Sequence, residues 1–187
     1  MITARDIKII DFTKKFGITI EQAYKMFFNE AKYGMDLARK RLRKLHQEGH
    51  LLRGKSWDTN KTVYYLNRVP STHKILLADF YSTLIYHGAM ILEFIPEYKT
   101  SINRADGFVR YIYNGYEVIQ FIEVVLTHKV NFENYEKLKE SNEMQNGYGI
   151  FPSIVVIDQN PITFRSNNLN IINVDHSLKN FRERVLP

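Results

Sequence analysis

Chemistry-bearing side chains gather first between positions 36 and 47. At 100° per residue, Asp36, Lys40, Arg43, Lys44 and Gln47 share one arc of a helix, with Arg39 and Arg41 on its flanks. Met35, Ala38, Leu42 and Leu45 share the opposite arc and are expected to face a core. An inward aliphatic stripe opposite a Lys/Arg/Gln stripe suits a helix lying in a DNA major groove. Cations there neutralise phosphates, and Arg or Gln can bond base edges in pairs. A solvated basic face has the same pattern, and the helix alone leaves both readings open. A second group of cations, Arg53, Lys55 and Lys61, lies in and around a polar turn over residues 54–61. These could follow the phosphate backbone or enter the minor groove. Trp57, the only tryptophan, can either reach outward with them or fold back on its own hairpin.

Other chemistry is sparse. Without cysteine there is no disulfide framework, thiol nucleophile or Cys-containing zinc site. His46 and His50 stand four apart but straddle Gly49, where the helix is expected to stop, so no metal pair is expected. The sequence contains no Gly-x-x-x-x-Gly-Lys-Ser/Thr loop and no serine in a nucleophile elbow. No cofactor and no metal are expected.

Three helices are needed to position the first cations. One spans residues 4–15, with Thr3 as its N-cap and Gly17 as its stop. Another starts at Thr19, where Gln22 completes a capping box. The third runs from about residue 35 to Gly49. A hairpin follows, pairing residues 50–53 with the aromatic and β-branched run 62–66. Helices followed by such a hairpin make a winged helix-turn-helix, here over residues 3–67. Pro70 breaks the strand and Ser71 or Thr72 can cap the next helix, so two domains are expected, 1–70 and 71–187. The second reads as a helix over 73–86, strands over 90–95, 107–113 and 116–126, and a helix over 132–144. Strands over 153–157 and 170–174 and a helix over 177–185 complete it. Asn114-Gly115 joins two of the strands as a hairpin turn. The order αβββαββα gives an α+β fold with a small mixed sheet.

Composition divides along the same boundary. The 187 residues are 44% hydrophobic and 13% aromatic, which supports packed cores and excludes a disordered chain. Through Pro70 there are fifteen Lys and Arg against seven Asp and Glu; beyond it, eleven against thirteen. The basic excess therefore belongs to the first domain, which suits a polyanionic partner. No apolar run approaches the roughly 18 residues of a membrane helix, so no membrane association is expected. Early charges and no small-residue cleavage site argue against a secretory signal, and a cytoplasmic location is expected.

The run Leu42-x-x-Leu45-x-x-x-Gly49-x-Leu51, ending in Tyr64-Tyr65-Leu66, resembles the recognition helix and wing of bacterial winged-helix regulators. Further blocks are His73-Lys-Ile-Leu-Leu-Ala-Asp-Phe80, Phe94-Ile-Pro-Glu97, Arg104-Ala-Asp-Gly-Phe108 and Phe121-Ile-Glu-Val124. In succession they resemble the replication-relaxation family of plasmids, conjugative elements and phages. That resemblance implies a winged helix ahead of a domain like the PD-(D/E)XK nucleases. It also implies a sequence-specific, double-stranded DNA-binding protein of a mobile element, serving replication, DNA relaxation or transcription regulation. A homodimer is expected, since helix-turn-helix sites are usually palindromic.

Nucleases of that type carry an acid on one strand, a second acid on the next, and usually a lysine two residues later. Asp106 and Glu123 match the acids, and Glu97 matches an optional helical acid upstream. Val125 stands where the lysine belongs, and Lys129 lies six residues beyond Glu123. The expectation is a degenerate nuclease fold for assembly or recognition, with Glu97, Asp106 and Glu123 as vestiges and no catalytic residue. The acids would instead pair with Arg104 or Arg110 or cap the sheet edge. The alternative is a metal-dependent DNA nuclease.

Overall fold

The structure, a computed structural model, describes every residue except Met1, Trp57, Thr59, Pro161 and Pro187. The expectations for Trp57 therefore lie outside the described residues. The chain is α+β and divides into two compact units, Met1–Tyr86 and His87–Pro187.

In the first unit, helix α1 (Ala4–Lys15) starts at Thr3, as expected. Its capping box is reciprocal: the Asp6 N–H donates to Thr3 Oγ1 at 3.3 Å, and the Thr3 N–H donates to Asp6 Oδ2 at 2.6 Å. Gly17 follows at φ +73°, and a Cβ there would lie 2.8 Å from the Pro70 ring, so only glycine fits. Strand β1 (Ile18–Thr19) was too short to be legible in the sequence. Helix α2 (Ile20–Ala23), capped by Thr19 and Gln22 as expected, continues as a π-helical turn, Tyr24–Phe28. Helix α3 spans Gly34–Gln47, followed by β2 (Leu52–Lys55) and β3 (Thr62–Tyr65). The strands form an antiparallel sheet in the order β1-β3-β2. Ile9, Ile18, Ala38, Leu42, Leu45 and Tyr64 are central in the core.

Met35 does not join that core and is 38% exposed. Its place is taken by the buried Gly34, where a Cβ would stand 2.1 Å from the Phe28 carbonyl oxygen. The helix enters too close to the preceding turn for any side chain at position 34. This close approach leaves Met35 at the rim.

Helix α4 (Thr72–Tyr86), expected in the second domain, belongs to the first unit. The carboxamide of the buried Gln22 donates to Asp79 Oδ1 at 2.7 Å and to the Ile75 carbonyl at 3.1 Å, tying α2 to α4. Phe12 and Tyr81 add a ring contact between α1 and α4 at 5.5 Å. Strand β3 ends at Tyr65, five residues before Pro70, and the hydrogen bonds and packing of the unit continue past that proline.

The second unit holds β4 (Met90–Lys99), β5 (Arg104–Tyr113), β6 (Tyr116–Val124), α5 (Phe132–Glu140) and α6 (Glu143–Tyr148). Strands β7 (Ser153–Ile157) and β8 (Ile171–Val174) and helix α7 (Phe181–Val185) follow. The sheet order is β4-β5-β6-β7-β8, antiparallel up to β6 and parallel from β6 to β8. Asn114 and Gly115, at φ 50° and 83°, make the expected hairpin turn. The single helix expected over 132–144 is broken by Asn142 at φ 57°. One sheet face carries α5, where Phe121 meets Tyr135 at 5.3 Å. On α7, the Val185 carbonyl accepts from Tyr111 Oη and Gln120 Nε2 at 3.2 and 3.3 Å, both from buried sheet residues.

One ion pair orients α3 in the first unit. Asp6 is fully buried, and Arg41 grips both its carboxylate oxygens, with Nε 2.5 Å from Oδ1 and Nη2 on Oδ2. Burial would raise the Asp6 pKa, but the Arg41 and Thr3 hydrogen bonds overcome it and hold the carboxyl well below the usual range. A depressed folded-state pKa contributes stability that is present above the unfolded value and lost as pH falls. Asp6→Ala, which removes the carboxylate that Arg41 grips, should destabilise the protein by about 2–4 kcal/mol at pH 7 in urea unfolding. That deficit should shrink as the pH falls below about 4. A deficit below about 0.5 kcal/mol would show that the pair is not holding α1 to α3.

Candidate nucleic-acid interface and carboxyl pair

Ala38, Leu42 and Leu45 are buried, and Lys40, Arg43, Lys44 and Gln47 are exposed on the other side of α3, as the periodicity requires. Arg39 is exposed but paired with Asp36 at 2.5 Å, and Lys44 is 3.7 Å from Glu48. Arg41 is turned inward to Asp6. Lys40, Arg43 and Gln47 are thus the polar side chains of this face with no ion pair among the described residues. Two exposed apolar residues, Tyr33 and Leu37, share the amino-terminal end of the helix with them. Sequence reasoning missed both, although Leu37 breaks the polar stripe visibly.

Arg53 and Lys55 project from β2 and are exposed. Lys61 is different: its Nζ lies 3.7 Å from Asp79 on α4, so it reaches toward a buried carboxylate. Burial pushes Asp79 upward, with Lys61 and Gln22 acting against that shift. This group joins the hairpin, α2 and α4, and nothing in the local sequence of any one element signals it. His46 Nδ1 meets the Leu51 carbonyl at 2.9 Å, and His50 lies 3.9 Å from Glu48.

In the second unit, β5 and β6 bring Asp106 and Glu123 together. Gly107 pairs with Ile122, which puts the two acids level on neighbouring strands. The Asp106 carboxylate on β5 stands beside Glu123, and its charge helps to raise the Glu123 carboxyl. Asp106 Oδ2 also accepts the Val124 N–H at 2.8 Å, and Tyr135 Oη donates to Glu123 Oε1. Burial, partly offset by Tyr135 and reinforced by the Asp106 charge, pushes the Glu123 carboxyl up to about 8. Arg104 and Arg110, the expected partners of the acids, are instead 2.7 Å from Glu97 and 3.1 Å from Glu117.

Glu97 is not helical. It lies in β4 between the paired residues Pro96 and Tyr98, level with Asp106, but at φ 54°. That left-handed backbone turns its side chain outward to Arg104, where it is 63% exposed. No group of three His, Cys, Asp or Glu able to hold a metal occurs among the described residues. The pair fits a divalent metal poorly: burial favours the neutral form of Glu123, Asp106 Oδ2 and Glu123 Oε1 are engaged by Val124 and Tyr135, and position 125 is apolar. Lys129 lines a cavity of about 760 Å³ with Val125, Phe132 and Asp158, and neither acid of the pair lines it.

No protein-family model matches the chain, and searches of curated proteins and of solved structures also return no match.

A raised folded-state pKa contributes stability that is complete below the unfolded value and lost as pH rises through the folded one. For Glu123 that window runs from 4.5 to about 8. Glu123→Gln keeps an acceptor for Tyr135 and cannot ionise, so it should remove this loss. Relative to the variant, the unmodified protein should lose up to about 1.4 kcal/mol per pH unit across that window. Parallel stability–pH curves for the two proteins would exclude a raised Glu123 carboxyl.

Proposed function

We propose that the first unit is a winged helix that binds double-stranded DNA, with α3 in the major groove and the β2–β3 hairpin as the wing. The observation that carries this reading is the outward face of α3. Lys40, Arg43 and Gln47 stand on it with no ion pair among the described residues, opposite a buried Ala38/Leu42/Leu45 stripe. The helix order, the short β1 pairing with β3 and the hairpin after α3 support the same reading. Arg53 and Lys55 extend the cationic surface onto the hairpin. Lys61, bent toward Asp79, contributes less than its position in the turn suggests. A cytoplasmic homodimer acting in replication, relaxation or transcription regulation of a plasmid or other mobile element is the role that the sequence resemblance supports.

The second unit has a meander followed by a parallel strand and carries two acids on adjacent strands, as a nuclease-like domain would. The burial that favours a neutral Glu123 and the absence of a lysine at position 125 favour a domain for recognition or assembly that does not cut. Phosphodiester cleavage needs a charge-stabilising group at the phosphate, and losing one such group costs about 10² to 10³ in rate.

Binding should be visible by fluorescence anisotropy. If about 5 phosphates are neutralised per chain, log K should fall against log[salt] with a slope near −4.5. Arg43→Ala should cost about 1–3 kcal/mol on a selected site and relax preference at one base pair, whereas Lys55→Ala should weaken all duplexes alike. A specific-to-nonspecific ratio unchanged by Arg43→Ala contradicts base reading by α3. With Mg²⁺ or Mn²⁺, supercoiled DNA should stay intact. Nicking that disappears in Asp106→Ala would establish the nuclease reading instead.

A further inference from the structure

A cavity of about 570 Å³ lies in the first unit between the end of α1, the segment after β3 and the start of α4. Lys14, Lys15, Arg68 and Lys74 line it, and no carboxylate does. Lys14 is held by Asp11 at 2.6 Å, whereas Lys15, Arg68 and Lys74 make no ion pair among the described residues. Lys14 and Lys15 close α1, where cations offset the exposed carbonyls. Lys74 has no such reason to be where it is. It stands in the first turn of α4, the end that favours negative charge, and that turn contains no acidic residue. Ser71 caps it by accepting the Lys74 N–H at 3.4 Å.

Cations that line one cavity beside a helix amino-terminus favour an anion there. Arg68 supplies a planar fork suited to phosphate oxygens, and the lysines supply point charges. Phe16, Leu66, Val69 and Pro70 give the cavity an apolar wall for the rest of a ligand. The size falls in the range of small-molecule sites. Strand β3 runs away from the hairpin turn toward this cavity, so the wing tip and the cavity lie at opposite ends of the strand.

We propose that this cavity binds a small organic polyphosphate of the nucleoside di- or triphosphate class. Arg68 and Lys74 clasp its phosphates, Lys14 and Lys15 complete the charge, and the apolar wall takes the organic body. The site is independent of the DNA-binding reading of α3.

The full-length protein would be titrated calorimetrically with ADP, inorganic pyrophosphate and adenosine. ADP and pyrophosphate should bind saturably, and adenosine should not bind detectably. Arg68→Gln combined with Lys74→Gln should weaken pyrophosphate at least tenfold, while Lys8→Gln, an exposed change elsewhere on α1, should not. No binding, or equal binding by the double variant, overturns the proposal. Phosphate chemistry could also come from a DNA backbone. If duplex displaces pyrophosphate and the double variant loses duplex affinity in parallel, the cavity holds DNA and the small-ligand proposal fails. Should the double variant not fold, pyrophosphate added to the unmodified protein must shift the amide signals of Gly17, Asn67 and Ser71. Unmoved signals there overturn the proposal equally.

Discussion

The buried ion pair between Asp6 and Arg41 is the constraint on which the first unit turns. A helix with cations at 39, 40, 41, 43 and 44 has several orientations in which some of them reach solvent. Fixing the guanidinium of Arg41 on a fully buried carboxylate selects one of them. Position 41 then marks the inner edge of the charged stripe, and steps of 100° carry Lys40, Arg43, Lys44 and Gln47 outward. Asp6 serves two structures at once, since the same carboxylate closes the capping box of α1. The start of α1 and the roll of α3 are thereby set by one side chain. Gln22 plays the matching part on the other side, capping α2 and bonding α4 with a single carboxamide.

The second unit obeys a different electrostatic rule. Its sheet is covered on both faces, so polar groups inside must satisfy one another. Tyr111 and Gln120 do so by sharing the Val185 carbonyl, and Asp106 and Glu123 do so by accepting from the Val124 N–H and Tyr135 Oη. An acid pair held this way is a hydrogen-bonded strut between β5, β6 and α5. Its chemistry differs from that of a metal-holding pair, because one oxygen of each carboxyl is already taken by a donor. The left-handed backbone of Glu97 removes the third acid of the row, although the strand register alone would align all three.

What could be read from the sequence was what depends on neighbours along the chain. Thr3 and Thr19 mark their helices, Asn114-Gly115 marks its hairpin, and the stripe on α3 follows from spacing alone. What could not be read depends on contacts far apart in sequence. Arg41 looks like any flanking cation until Asp6, thirty-five residues earlier, is placed beside it. Lys61 looks like a free wing lysine until Asp79 is placed beneath it. The first unit runs past the expected boundary for the same reason: Pro70 is a strong local signal, but the bonds of Gln22 carry the unit through α4. The broken helix at Asn142 and the displacement of Met35 reflect backbone geometry, which residue periodicity does not encode.

The central claim is that α3 and β2, not the second unit, form the surface that meets DNA. It is tested most directly by mapping backbone amide signals of the full-length protein as a mixed-sequence duplex is added at low salt. The account requires shifts concentrated in α3 and β2, with the signals around Asp106 and Glu123 unmoved. Shifts concentrated on β5 and β6, or none at any duplex concentration, would contradict it.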